Sequence, residues 1–133
     1  MNKIEKIINR GKLLAQIIKG SKKINKTTFF TSSEANLQIG YVVYPANTSI
    51  KRHIHKKVVR KLDRTEEILI VKKGKCVIDL YDDKKKFVVS KRLSAGDIII
   101  LVSGGHGFKL LEDTVLVEIK QGPYGGIAEK ERF

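Results

Sequence analysis

EEILIVKKGKCVIDLYDD, residues 66–83, carries two short runs of Ile, Leu, Val and Tyr with a glycine between them. The second, KCVIDLY, alternates apolar and polar side chains, and a period of two is the mark of a half-buried strand. KKGK and the following YDDKKK read as hairpin loops. The same texture continues downstream in KFVVSKRL, GDIIILV, HGFKLLED and TVLVEIKQG, and upstream in TTFFTS and LQIGYVVY. Glycines in SAGD and SGG supply tight turns between runs. Many short strands at this spacing predict an all-β fold, an antiparallel sandwich or barrel.

Only the beginning of the chain departs from that texture. Ile4, Ile7, Ile8, Leu13, Leu14, Ile17 and Ile18 recur at spacings of three and four. This predicts a short amphipathic helical segment within residues 1–26, although Gly11 in its middle also admits two short elements. The barrel is expected over 27–121. A tail over 122–133 is expected on the surface or against another subunit.

At 133 residues the chain fits a single domain. Its 27 basic and 14 acidic side chains give a net charge of +13, which favours anionic small molecules as ligands. Sequence-specific nucleic-acid binding is not expected, because no recognition helix, zinc-finger spacing or aromatic-studded basic face accompanies the charge. Charges at Lys3, Glu5, Lys6, Arg10 and Lys12 interrupt the first apolar runs, so neither a signal peptide nor a membrane span is expected. The single Cys76 forms no internal disulfide, which fits a reducing, cytoplasmic setting.

Two of the three histidines, His53 and His55, stand one residue apart in KRHIHKK. On a strand they would project to the same face, together with Lys51. Their cationic neighbours favour the neutral imidazole, the form that binds metals. Glu67 opens the next strand seven residues before Gly74, and His106 follows GDIIILV within SGGHGF. Three imidazoles and one carboxylate suit a divalent transition metal such as Fe, Mn, Ni or Zn. The plain alternative is that the pair is an exposed polar face and that His106 hydrogen-bonds a loop.

This pattern resembles the cupin superfamily. The first cupin motif is carried by Gly40, His53, His55, Glu67 and Gly74, and the second by Gly96, Asp97 and His106, so the resemblance spans roughly residues 38–120. It implies a single cupin-type, jelly-roll-like antiparallel β-barrel with a metal held by His53, His55, Glu67 and His106. The spacer between His55 and Glu67, KKVVRKLDRTE, is longer than the family's and reads as an inserted basic loop. The usual proline before the last histidine is absent. The ending QGPY with a charged tail looks like small cupins found beside surface-polysaccharide genes, which implies carbohydrate chemistry.

Three functions follow as expectations: a metal-dependent enzyme on a small anionic metabolite such as a sugar derivative, a metal-independent nucleotide-sugar isomerase or epimerase with a histidine base, or a noncatalytic carbohydrate-binding or sensor module. Lys51, Arg60 and Arg64 are candidate substrate-binding residues, because the basic loop 56–64 has the charge of an anion funnel. The resemblance also implies a homodimer, and the apolar face of residues 4–18 needs something to cover it.

Overall fold

The structure, a computed structural model, describes residues 4–126 and 129–133. Among them are ten strands and no α-helix: β1 (Ile4–Asn9), β2 (Lys12–Ile18), β3 (Thr28–Phe29), β4 (Gly40–Tyr41), β5 (Glu67–Lys73), β6 (Lys75–Tyr81), β7 (Phe87–Ser94), β8 (Ile98–Leu101), β9 (Gly105–Leu110) and β10 (Val115–Lys120). The fold is all-β and every strand pairing is antiparallel. Contacts divide the chain into two units, one of Met1–Lys22 with Thr65–Phe133 and one of Lys23–Arg64.

The first unit is built on two open sheets, ordered β1-β2-β8-β5-β10 and β7-β6-β9. Their hydrogen-bonded ladders do not close into a barrel, since β1 and β10 are edges of one sheet and β7 and β9 of the other. β6 shows the alternation expected of KCVIDLY: Cys76, Ile78 and Leu80 are buried and the residues between them are not. With Leu93 of β7, these side chains meet Ile7, Ala15, Ile17, Leu69, Val71, Ile99 and Leu101 of the larger sheet in one apolar core. Each fully buried Leu or Ile contributes about 1.5–3 kcal/mol over leaving it in water.

The helix expected at the N-terminus is instead the β1–β2 hairpin. Asn9 pairs with Lys12, so Arg10 and Gly11 are a two-residue loop, with φ of 51° and 75°. Two left-handed residues in succession make the turn whose twist matches paired strands. A bulge between Ile7 and Ile8 shifts the register, which is how apolar spacings of three and four fit a strand pair. Ile7, Leu14, Ile17 and Ile18 are all buried within the chain itself, so most of the apolar face of residues 4–18 is already covered; Ile4 and Leu13 are half-buried and Ile8 is exposed.

KKGK is not a hairpin either. β5 lies in the larger sheet and β6 in the smaller, and Gly74 is where the chain crosses between them. Its φ is 91°, and a Cβ there would stand 2.4 Å from the Asp113 carbonyl oxygen, so only glycine fits. YDDKKK does close a hairpin, β6–β7, in which the Asp82 side chain accepts from the Lys84 and Lys86 amides.

The second unit, Lys23–Arg64, holds the short β3–β4 pair, with Phe30 edge-on to Tyr41 at 5.5 Å. TTFFTS and LQIGYVVY therefore each yield only a two-residue strand. Residues 49–62 follow without regular secondary structure, and the strand expected at His53 and His55 does not form there.

Candidate functional site

The register of the larger sheet fixes one face of the site. Glu67 stands opposite Leu101 and Lys120, Leu69 opposite Ile99 and Glu118, and Val71 opposite Leu116. Since Leu69, Ile99 and Leu101 belong to the core, Glu67, Leu116 and Glu118 share the core-facing side of their strands. On the smaller sheet His106 pairs with Leu80 and Phe108 with Ile78, again core-side partners. Side chains from both sheets thus converge around a cleft of about 790 Å³, with Leu69, Phe108 and Leu116 as apolar walls and Glu67, His106 and Glu118 as polar groups. The volume is that of an ordinary small-molecule site.

Glu67 and His106 are brought together: Nε2 of the imidazole is 3.7 Å from Oε2 of the carboxylate. That is too long for a direct hydrogen bond and short enough for one atom to sit between them. Glu67 is 13% exposed and His106 31%. Burial holds the His106 imidazole below its usual 6.5, with Lys130 acting in the same sense against the Glu67 and Glu118 carboxylates. The ring is therefore neutral at pH 7, with a lone pair to offer. Phe108, two residues along the same strand face, stands edge-on to it at 5.8 Å.

The other expected site residues lie in the second unit. His53 and His55 are exposed, and their rings meet edge to face at 5.2 Å, so the two imidazoles remain neighbours without a strand to align them. The Lys51 carbonyl is 3.1 Å from His53 Nδ1. Donation from that nitrogen leaves Nε2 as the free lone pair. Lys51, Arg60 and Arg64 are exposed. Within either unit, no three His, Cys, Asp or Glu side chains among the described residues gather into a group able to hold a metal ion.

Asp97 of the second motif has a structural task. Its carboxylate accepts from the Gly20 amide at 2.8 Å, the Ser94 amide at 3.0 Å and Lys19 Nζ at 2.6 Å. Burial pushes the carboxyl upward, but these donors outweigh it and hold the group below 3.8. The network ties the end of β2 to the β7–β8 turn, where a Cβ on Gly20 would stand 2.6 Å from the Gly96 backbone. Burial raises the Cys76 thiol, and the Asp97 charge adds to the effect, so this cysteine is a core residue and no nucleophile.

Sequence reasoning missed Glu118, although VLVEIK carries the signal: on a strand, Glu118 has the parity of Leu116 and Lys120. It also missed the tail, since Glu129, Lys130, Glu131, Arg132 and Phe133 line the same cleft. No helix of the described residues is long and apolar enough to cross a membrane. Comparison with known protein families, with curated proteins and with solved structures finds no match to this chain.

Proposed function

We propose that the chain is a cupin-type protein with its ligand site in this cleft, and that it works with a divalent transition metal, of the group Fe, Mn, Ni and Zn, on a small anionic metabolite such as a sugar derivative. The observation that carries this is the approach of His106 to Glu67 in a wall richer in acid than in base. Glu67, Glu118, Glu129 and Glu131 face Lys130 and Arg132 there, in a chain whose net charge is +13. Lys85 pairs with Glu131 and Lys120 Nζ stands 4.0 Å from Glu118, so it is the Glu67 carboxylate beside His106 that favours a bound cation. Two donors bound side by side to one ion at roughly 2.1 Å each stand about 3 Å apart, so the observed 3.7 Å closes with a shift of less than the width of an atom.

The motif reading adds His53 and His55 to these two donors. Two sheets joined by chain that crosses repeatedly between them, at β5–β6, β7–β8, β8–β9 and β9–β10, also fit a double-sheet jelly roll, the architecture of cupins. When bound, the ion supplies Lewis acidity toward a carbonyl or enediol oxygen. The chain's own residues shape the cleft, exclude water along Leu69, Phe108 and Leu116, and present neutral His106 beside a carboxylate. Lys51, Arg60 and Arg64 supply cationic groups for an anionic substrate.

The neutral His106 also favours a second reading, a metal-free isomerase or epimerase in which this imidazole is the general base. Metal content by mass spectrometry separates them, on protein purified without chelator beside His53→Ala and His106→Ala. The metal reading expects near-stoichiometric ion in the native chain and loss in both variants. Metal-free protein that takes up none of the four added ions overturns it. Isomerase activity that survives chelation and is lost in His106→Ala establishes the second reading; ligand binding without turnover leaves a noncatalytic sugar-binding module.

A further inference from the structure

Every residue from 42 to 65 is exposed, the longest such stretch among the described residues. Within it Ile50, Ile54, Val58, Val59 and Leu62 all face solvent, Ile54 with 88% and Val59 with 81% of its surface. Single exposed aliphatic side chains are ordinary on a protein surface, but five so close together mark a contact site. They are interleaved with Lys51, Arg52, Lys56, Lys57, Arg60, Lys61 and Arg64 against the one carboxylate of Asp63. The chemistry that matches such a segment is both apolar and anionic.

The order of these residues sorts the two kinds. At about 100° per residue, helical winding brings Ile50, Ile54, Val58 and Leu62 within an arc of about 120°, widened on one side by Val59. Arg52, Lys56, Lys57 and Arg60 fall outside that arc. Lys51 and Lys61 fall within it, near the two ends of the segment, where their long stems let the charges snorkel to the surface. Wound as a strand, the same stretch would put Arg52, Lys56 and Arg60 on the face of Ile50, Ile54, Val58 and Leu62, and nothing would be segregated. We infer that residues 50–64 are a lipid-docking segment that lies on an anionic membrane surface and becomes helical there. A segment of this length is marginal as a helix in water, and Ile and Val weaken it further, which accounts for the lack of regular structure over 49–62. Burial of the aliphatic arc among acyl chains supplies the missing stability, while the cationic side chains meet the anionic headgroups. Nucleic acid would match the charge but leave the aliphatic side chains uncovered, and a second copy of the segment would bring like charges together. His53 and His55 come out on opposite sides of such a helix, so docking on lipid and holding one ion with both rings exclude each other.

The test is flotation of the full chain with phosphatidylcholine vesicles containing roughly one-quarter phosphatidylserine, beside vesicles of phosphatidylcholine alone, with far-UV circular dichroism of the same mixtures. The native chain is compared with the double variant Ile54→Ser, Val58→Ser, whose altered side chains are exposed and outside the core. The native chain is expected to float with the anionic vesicles only and to gain helical signal as it binds. The double variant is expected to bind the same vesicles about tenfold more weakly. No flotation with the anionic vesicles overturns the inference. So does flotation that the double variant matches, or that brings no helix, since charge alone then explains the binding. A duplex DNA that displaces the chain from the vesicles at equal phosphate concentration assigns the segment to nucleic acid and overturns it too. All samples contain chelator, so the result is independent of any ion in the cleft.

Discussion

Asp97 shows how one buried carboxylate decides local stability. Its side chain is 5% exposed while that of Lys19 is 40% exposed, and its other donors include the backbone amides of Gly20 and Ser94. Asp97→Asn removes the charge that strengthens each of these bonds, at a cost of about 1–3 kcal/mol measured by urea unfolding. The pH dependence has a definite sign. The folded carboxyl titrates below 3.8, so its contribution is whole above that value; as pH falls further the unfolded chain takes up its proton first, and stability is lost until the folded carboxyl protonates too. Native protein should therefore lose stability more steeply than Asp97→Asn below pH 3.8, and parallel acid limbs would refute the assignment. At this scale the sequence was partly legible. Counting seven residues back from Gly74 selects Glu67 over Glu66, and Glu67 lines the cleft whereas Glu66 is buried outside it. Glu118 was missed because parity was not followed into the last strand.

Elements were legible where burial alternates and misleading where it does not. In β2 five consecutive residues, Leu14 to Ile18, are buried, and all four residues of β8 are buried. Interior strands of this kind lose the period of two, and a run of apolar residues then imitates a helix face. The signal that decides between them is Asn-Arg-Gly-Lys at 9–12, a two-residue turn. Arg10 bears the strain of a left-handed backbone with a full side chain, whereas Gly11 does not. Arg10→Asn should stabilise the protein by roughly 0.5–1 kcal/mol and Gly11→Ala should destabilise it by about 1 kcal/mol. A helical N-terminus would give the opposite result for Gly11→Ala, since alanine favours helix, so thermal unfolding of the pair tests the hairpin directly. The turn at Gly74 was misleading in a different way. It looks like a hairpin in sequence, and what distinguishes a crossover is the tertiary crowding by Asp113 and Thr114, which local sequence does not contain.

At the scale of the whole molecule, charge is distributed against composition. Residues 51–64 carry Lys51, Arg52, Lys56, Lys57, Arg60, Lys61 and Arg64 against one carboxylate, Asp63, while the cleft wall runs the other way. The net charge of +13 was plain from the sequence; the acidic cleft was not, because Glu67, Glu118 and Glu131 are far apart along the chain and meet only through the sheets and tail. A cationic segment of this density attracts anions at a distance, so the association rate of a labelled tripolyphosphate should fall steeply with salt. Reversing three charges, with Lys56→Glu, Lys57→Glu and Lys61→Glu together, should slow association about tenfold at low ionic strength. The same variant should approach the native rate at roughly 1 M salt, where screening acts over about 3 Å. All three positions are exposed and lie outside any strand, so the substitutions leave the core untouched. Stopped-flow rates that are flat with salt in the native chain, or unchanged by the reversal, would show that the segment is a solvated loop with no part in drawing anions to this protein.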